Sequence, residues 1–204
     1  MSRFSQAISE GDGISVIPLL EGEVEALAAL AEGAGAEAVA VAASDLERTR
    51  GRTTLPILAR HDDPRVVARA GADACALVFA DLADDDDRLE ELHTLARDLG
   101  LDCPVDVRDE DELEEVLERI DPDIVLICER DLDRDEDDLE RTLDLLADVP
   151  AGKLVISEAR IVSREQVIAL ERAGVDAVLV RGLAHGSDFS TALEELVRGS
   201  GAHR

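Results

Sequence analysis

Leu154-Val-Ile-Ser-Glu-Ala-Arg-Ile-Val-Ser-Arg-Glu-Gln-Val-Ile-Ala-Leu-Glu-Arg-Ala-Gly-Val-Asp-Ala-Val-Leu-Val-Arg181 decides the fold. It opens with a short apolar run, Leu154–Glu158. An amphipathic stretch, Arg164–Ala173, follows with apolar residues at helical spacing. Gly174 then ends the helix, and a second β-branched run, Ala177–Arg181, begins. Both runs are apolar on either face, as strands are when helices cover a parallel sheet on both sides. The stretch is therefore one strand–helix–strand unit.

The same alternation extends back to the start of the chain. Strands are expected at 14–20, 36–43, 55–60, 74–80, 102–107, 124–129, 154–158 and 177–181. Helices are expected at 22–32, 45–50 (weakly), 64–70, 88–99, 110–120, 135–146, 164–173 and 189–198. Eight such units in unbroken succession predict an α/β fold, a compact (β/α)8 TIM barrel with short loops. An open doubly wound sheet is the other arrangement of such units. It is weakened because no Gly-x-Gly-x-x-Gly follows any strand. The barrel is expected over 14–198, after a short N-terminal segment (1–13) and before a frayed tail (199–204).

A small theme recurs where helices hand over to strands: Ala34-Gly-Ala-Glu-Ala38, Ala70-Gly-Ala-Asp-Ala74 and Ala173-Gly-Val-Asp-Ala177. The glycine suits a left-handed helix terminus, and the residues after it enter the barrel floor. The Asp84–Asp87 run reads as a solvated helix entrance favoured by the helix dipole.

The chain has 204 residues and a net charge of −27. Its basic residues are twenty arginines and a single lysine, Lys153. So acidic a surface argues against nucleic acid and anionic membranes as partners. With no Tyr or Trp and three Phe, base stacking is excluded as well. Abundant carboxylates with almost no lysine suit a halophilic, acidic protein, dispersed where salt shortens the screening length to a few ångströms. The start, Met1–Gly13, lacks an apolar targeting segment, and three cysteines at non-metal spacing form no disulfide framework. The expected location is cytoplasmic, with no cofactor and no metal.

A ligand site in such a barrel lies at the C-terminal strand ends. Those ends carry Arg60 and His61, Asp106 and Arg108, Cys128 to Arg130, Glu158 and Arg160, and Arg181 with Gly182. Arginine forks match phosphate and carboxylate. Either the arginines receive an anionic ligand or they pair with Asp106, Glu129 and Glu158 beside them. Cys128 reads as a packing residue, His61 as either a general acid or base or a solvated loop residue, and His93, His185 and His203 as surface residues.

Several of these segments resemble indole-3-glycerol phosphate synthase: Leu55-Pro-Ile-Leu58, Cys103-Pro-Val-Asp-Val-Arg-Asp-Glu-Asp-Glu-Leu113, Cys128-Glu-Arg-Asp-Leu132, Ile156-Ser-Glu-Ala-Arg-Ile161 and Ala173–Val180, in this order. The resemblance is good over 55–198 and weak over 4–54. It implies a carbon–carbon lyase of tryptophan biosynthesis that closes and decarboxylates carboxyphenylamino-deoxyribulose phosphate without metal or cofactor. It also implies a lysine general acid, partner carboxylates and a glycine-lined phosphate cradle.

Carried over, the general-acid lysine falls on Arg60 and the strand-five glutamate on Asp106. The strand-six asparagine falls on Cys128, with Arg130 retained. Glu158 is kept, but the phosphate glycines fall on Arg160 and Arg181, with Gly182 adjacent. The lysine of the first strand is missing, and the N-terminal extension is almost absent. Lys153 opens its strand, on the order of 15 Å from the active face, and arginine is a poor acid near neutrality. The expectation is a divergent barrel without the usual chemistry, binding a phosphorylated or anionic small molecule or a partner protein through Arg130, Arg160, Arg181 and Gly182. The alternative is an active lyase with a rearranged acid–base pair, drawn from His61, Asp106, Glu158 and Arg60. Whether Arg181 or Gly182 faces the pocket stays open at this stage.

Overall fold

In the computed structural model, which describes residues 3–11, 13–83, 85–128, 138–183 and 187–198, eight parallel strands close on themselves in sequence order. They are β1 (Ser15–Leu20), β2 (Val39–Ala42), β3 (Ile57–Arg60), β4 (Ala74–Val78), β5 (Val105–Val107), β6 (Ile124–Cys128), β7 (Leu154–Ala159) and β8 (Ala177–Val180). β8 pairs with β1 through Ser15↔Ala177 to Pro18↔Val180, and this pairing closes the barrel. The helices are α1 (Arg3–Ser9), α2 (Val24–Gly33), α3 (Leu46–Arg50), α4 (Pro64–Arg69), α5 (Asp86–Asp98), α6 (Glu110–Arg119), α7 (Asp138–Leu146), α8 (Arg164–Ala173) and α9 (Ser187–Val197).

The barrel predicted from the strand–helix alternation is the fold observed. Several strands are shorter than predicted, for a local reason. Pro56 and Pro104 stand directly before β3 and β5, and a residue without an N–H cannot donate to the ladder. The end of the fourth predicted strand instead turns into a 3-10 segment, Phe79–Asp81.

Strand alternation separates two apolar sets. Val39, Val41, Ile57, Ala59, Cys75, Leu77, Val105, Val125, Val155 and Val178 pack outward under the helices. Ile17, Leu58, Ala76, Leu126, Ile156 and Leu179 form a separate cluster inside the barrel. The recurring theme meets this inner cluster. Its final alanines, Ala38, Ala74 and Ala177, belong to it, and its glycines have positive φ (Gly35 +91°, Gly71 +89°, Gly174 +104°).

The aspartates of the theme act as clips. Asp73 Oδ2 accepts from Ile57 N at 2.8 Å, and Asp176 Oδ2 accepts from Val155 N at 2.8 Å. Each holds the first residues of the preceding strand. Burial raises the Asp176 pKa above its ordinary value, only partly offset by the Val155 N–H. A carboxyl whose folded pKa is raised binds more protons folded than unfolded, so its contribution to stability falls as pH rises through the window above 3.8. Asp176→Asn, which keeps an oxygen for Val155, is expected to match or exceed wild-type stability at pH 7. Asp176→Ala should lose about 1–3 kcal/mol by orphaning that N–H. Urea unfolding midpoints between pH 4 and 7 would separate the two.

α1 is an element the sequence reading did not anticipate. Its seven residues insert Phe4 (0% exposed) and Ile8 (2%) into the inner cluster beside Ala38, Ala74 and Ala177. Ser5 N donates to Asp102 Oδ2 at 2.6 Å, and Arg3 lies 3.5 Å from Asp73 Oδ1. The segment is a plug in the barrel floor. His93, read as a surface residue, is buried (6% exposed) on α5, and burial lowers its pKa. His185 and His203 lie outside the described residues. Among the described residues, no helix is long and apolar enough to cross a membrane.

Candidate functional site

The side chains that alternate inward along β3, β5, β6 and β7 emerge at their C-terminal ends as Arg60, Asp106, Cys128 and Glu158. Register aligns them: Cys128 pairs with Glu158, and Asp106 with Leu126, which lies two residues before Cys128 on the same inner face. Arg60 sits among them. Its Nε donates to Asp106 Oδ2 at 3.1 Å, its Nη2 lies 2.9 Å from the same oxygen, and Nη2 also pairs with Glu158 Oε2. Cys128 Sγ is 3.8 Å from Arg60 Nη2 and 3.5 Å from Glu158 Oε2. Asp106, Cys128 and Glu158 are all buried, at 1%, 1% and 0% exposed, while the Arg60 side chain keeps 20% exposure.

Burial opposes the Arg60 charge. The Glu158 carboxylate, and after it Asp106, outweigh that opposition, so the guanidinium's pKa stands above its ordinary value. Arg60 is a fixed cation in this setting and does not give up a proton near neutrality.

Arg181 follows β8, and its Nε lies 3.4 Å from Glu158 Oε1. Ala177 and Leu179 face the barrel interior, so alternation carries Arg181 inward and Gly182 outward. Gly182 (φ +69°) instead lines a cavity of about 590 Å³ between the N-terminal end of α8 and the α9 face, with Ser163, Arg164, Leu183 and Leu196. Arg164 Nε is buried there without a hydrogen-bond partner among the described residues. Arg164 was missed in the sequence, where it reads as the ordinary first residue of a helix behind its capping serine. Ser163 caps α8 by accepting from Gln166 N.

The other sequence candidates are dispersed. His61 Nδ1 accepts from Asp63 N at 2.9 Å, with Asp62 Oδ1 also at 2.9 Å, so the ring is engaged by its own loop. Arg160 is exposed and makes no ion pair among the described residues. Arg108, in the loop after β5, forks onto Glu112 of α6, with Nε at 3.0 Å from Oε1. Glu129 and Arg130 lie outside the described residues. Lys153 sits at the opposite end of the barrel, donating to Pro122 O at 2.8 Å and paired with Asp121 at 2.6 Å.

Two smaller cavities open on either side of Arg60. One, about 350 Å³, is lined by Leu19, Leu20, Glu21, Leu58 and Leu179. The other, about 330 Å³, is lined by His61, Asp62, Leu77, Asp81 and Leu82. Cys75 and Cys103 contribute nothing to the mouth. Burial pushes the Cys75 thiol up to about 12 and raises that of Cys103 too, which leaves both unreactive.

Comparison with known structures returns barrels of the same kind. "QR15, an Aldolase" superposes with a TM-score of 0.69 at 16% identity, covering 92% of this chain and 94% of the other. KGPDC from Streptococcus mutans superposes at 0.68 with 12% identity, covering 92% and 97%. At these identities the likeness concerns the fold alone. The family model for indole-3-glycerol phosphate synthase matches residues 59–196. That match takes in more than half of the sequence, from Arg60 at the end of β3 to most of α9, and the chain therefore belongs to the indole-3-glycerol phosphate synthase family.

Proposed function

We propose that this protein is a ligand-binding member of that family, taking a phosphorylated or otherwise anionic small molecule at the mouth of the barrel without the family's lysine-dependent lyase step. One observation carries the reading. The position that the family resemblance assigns to the general acid holds Arg60, committed to Glu158 and Asp106. The one lysine of the chain is tied to Asp121 and Pro122 on the far face. An arginine raised above its ordinary pKa cannot serve as the proton donor of a decarboxylation at neutral pH.

Binding of an anion is supported by the cavity beside α8. The Arg164 guanidinium, whose buried Nε has no hydrogen-bond partner among the described residues, is complementary to phosphate. Arg181 and Arg160 add positive charge at the neighbouring strand ends. The size of these cavities favours a small molecule over a protein partner. The −27 charge and the single lysine support a protein that works in concentrated salt, where its self-repulsion is screened.

The test is turnover of carboxyphenylamino-deoxyribulose phosphate in multimolar KCl, beside an authentic synthase, together with calorimetric titration of glycerol phosphate. The expected result is no indole-glycerol phosphate and measurable binding, weakened about tenfold or more by Arg164→Ala through loss of a charge-assisted hydrogen bond. Turnover that disappears in Asp106→Ala or Glu158→Ala would overturn the reading and establish a rearranged acid–base pair.

A further inference from the structure

The three donors around Arg60 come from three different strands, and no sequence spacing betrays them. A carboxylate oxygen of Asp106, Sγ of Cys128 and a carboxylate oxygen of Glu158 lie within 4.8 Å of one another, all on buried residues. Tetrahedral zinc, with bonds of about 2.0–2.3 Å, holds its donors about 3.3–3.8 Å apart. Cys128 Sγ and Glu158 Oε2 already meet that spacing at 3.5 Å. Glu158 is fully buried, yet among the described residues its Oε1 has no hydrogen-bond partner, with Arg181 Nε only at ion-pair distance. The place between the donors is held by a cation that belongs to the chain itself, the Arg60 guanidinium.

We propose that the Asp106–Cys128–Glu158 triad is a binding site for a thiophilic divalent metal of the zinc class, which enters by exchange with the Arg60 guanidinium. Charge bookkeeping makes the exchange possible. A guanidinium beside a neutral thiol contributes +1, and a divalent ion bound to a thiolate also contributes +1. The carboxylates of Asp106 and Glu158 therefore see the same compensating charge before and after. The Cys128 S–H bond breaks, a sulfur–metal bond forms and one proton leaves to solvent; no electron is transferred. Arg60 has somewhere to go, because it borders the cavities of about 350 and 330 Å³ at the mouth. One sulfur and two oxygens select zinc or cobalt over magnesium or calcium, which take oxygen ligands alone. Three protein ligands leave a fourth position open toward the mouth. This inference does not depend on the anion-binding reading.

Cobalt(II) added to the reduced full-length protein in concentrated potassium salt tests it. A sulfur-to-cobalt charge-transfer band is expected in the wild type and absent in Cys128→Ser. Arg60→Met, which lacks the competing cation, should bind at least about tenfold tighter and gain thermal stability with zinc. The proposal is overturned if folded wild-type protein shows no band at excess cobalt. It is equally overturned if the band survives in Cys128→Ser, which would assign it to Cys75 or Cys103.

Discussion

Replacing Arg60 with methionine will destabilise the protein by about 3–5 kcal/mol, the range found when one partner of a buried ion pair is removed. The aliphatic stem survives the change. What is lost is the positive charge held against the buried carboxyl groups of Asp106 (1% exposed) and Glu158 (0%). Arg60→Lys will lose less, since a single ammonium keeps the charge but cannot fork between two carboxylates. Adding Glu158→Gln to Arg60→Met should restore part of the loss, because one of the two buried carboxylates that faced the guanidinium is then neutral. Denaturant unfolding in high salt is the measurement. An unchanged midpoint in Arg60→Met would show that the pair is solvated and contributes little.

Phe4→Ala is expected to cost a similar amount, about 3–5 kcal/mol, as for large aromatic truncations in a core. Phe4 is 0% exposed and fills the floor among alanines that have no side-chain length with which to close the gap. Val162→Ala supplies the contrast. Val162 is 72% exposed, and its truncation should fall within about 0.5 kcal/mol of wild type. If Phe4→Ala were as mild as Val162→Ala, α1 would be an ornament on the barrel rather than its floor.

Period and punctuation were enough to expose the barrel, because each strand run is short, apolar and followed by a helix of clear amphipathicity. The plug escaped notice because seven residues hold only two buried anchors, Phe4 and Ile8, one helical turn apart, with no run long enough to show a period. The site was half legible. That Arg60, Asp106, Glu158 and Arg181 stand at strand ends follows from the strands. Which of Arg181 and Gly182 turns inward does not, because Ala177-Val-Leu-Val180 is apolar on both faces and carries no marker of parity. Cys128 read as a packing residue because its partners are distant in sequence and meet it only when the cylinder closes. His61 adjoins Arg60 in the chain, but its ring is bound by its own loop rather than by the central carboxylates.

The plug also orders events in time. Phe4 and Ile8 leave a ribosome long before β8 does, yet the pit that receives them includes Ala177 and Leu179 of that strand. The bond from Ser5 to Asp102 spans 97 residues. The plug is therefore made before the barrel is complete and buried only when it closes, and synthesis exposes an aromatic and an isoleucine until β8 arrives. Non-local closure of this kind slows folding and prolongs exposure to aggregation. A loop connecting the two ends that released new termini elsewhere in the barrel would let plug and pit be made together, and such a permuted chain should fold faster while keeping the same floor.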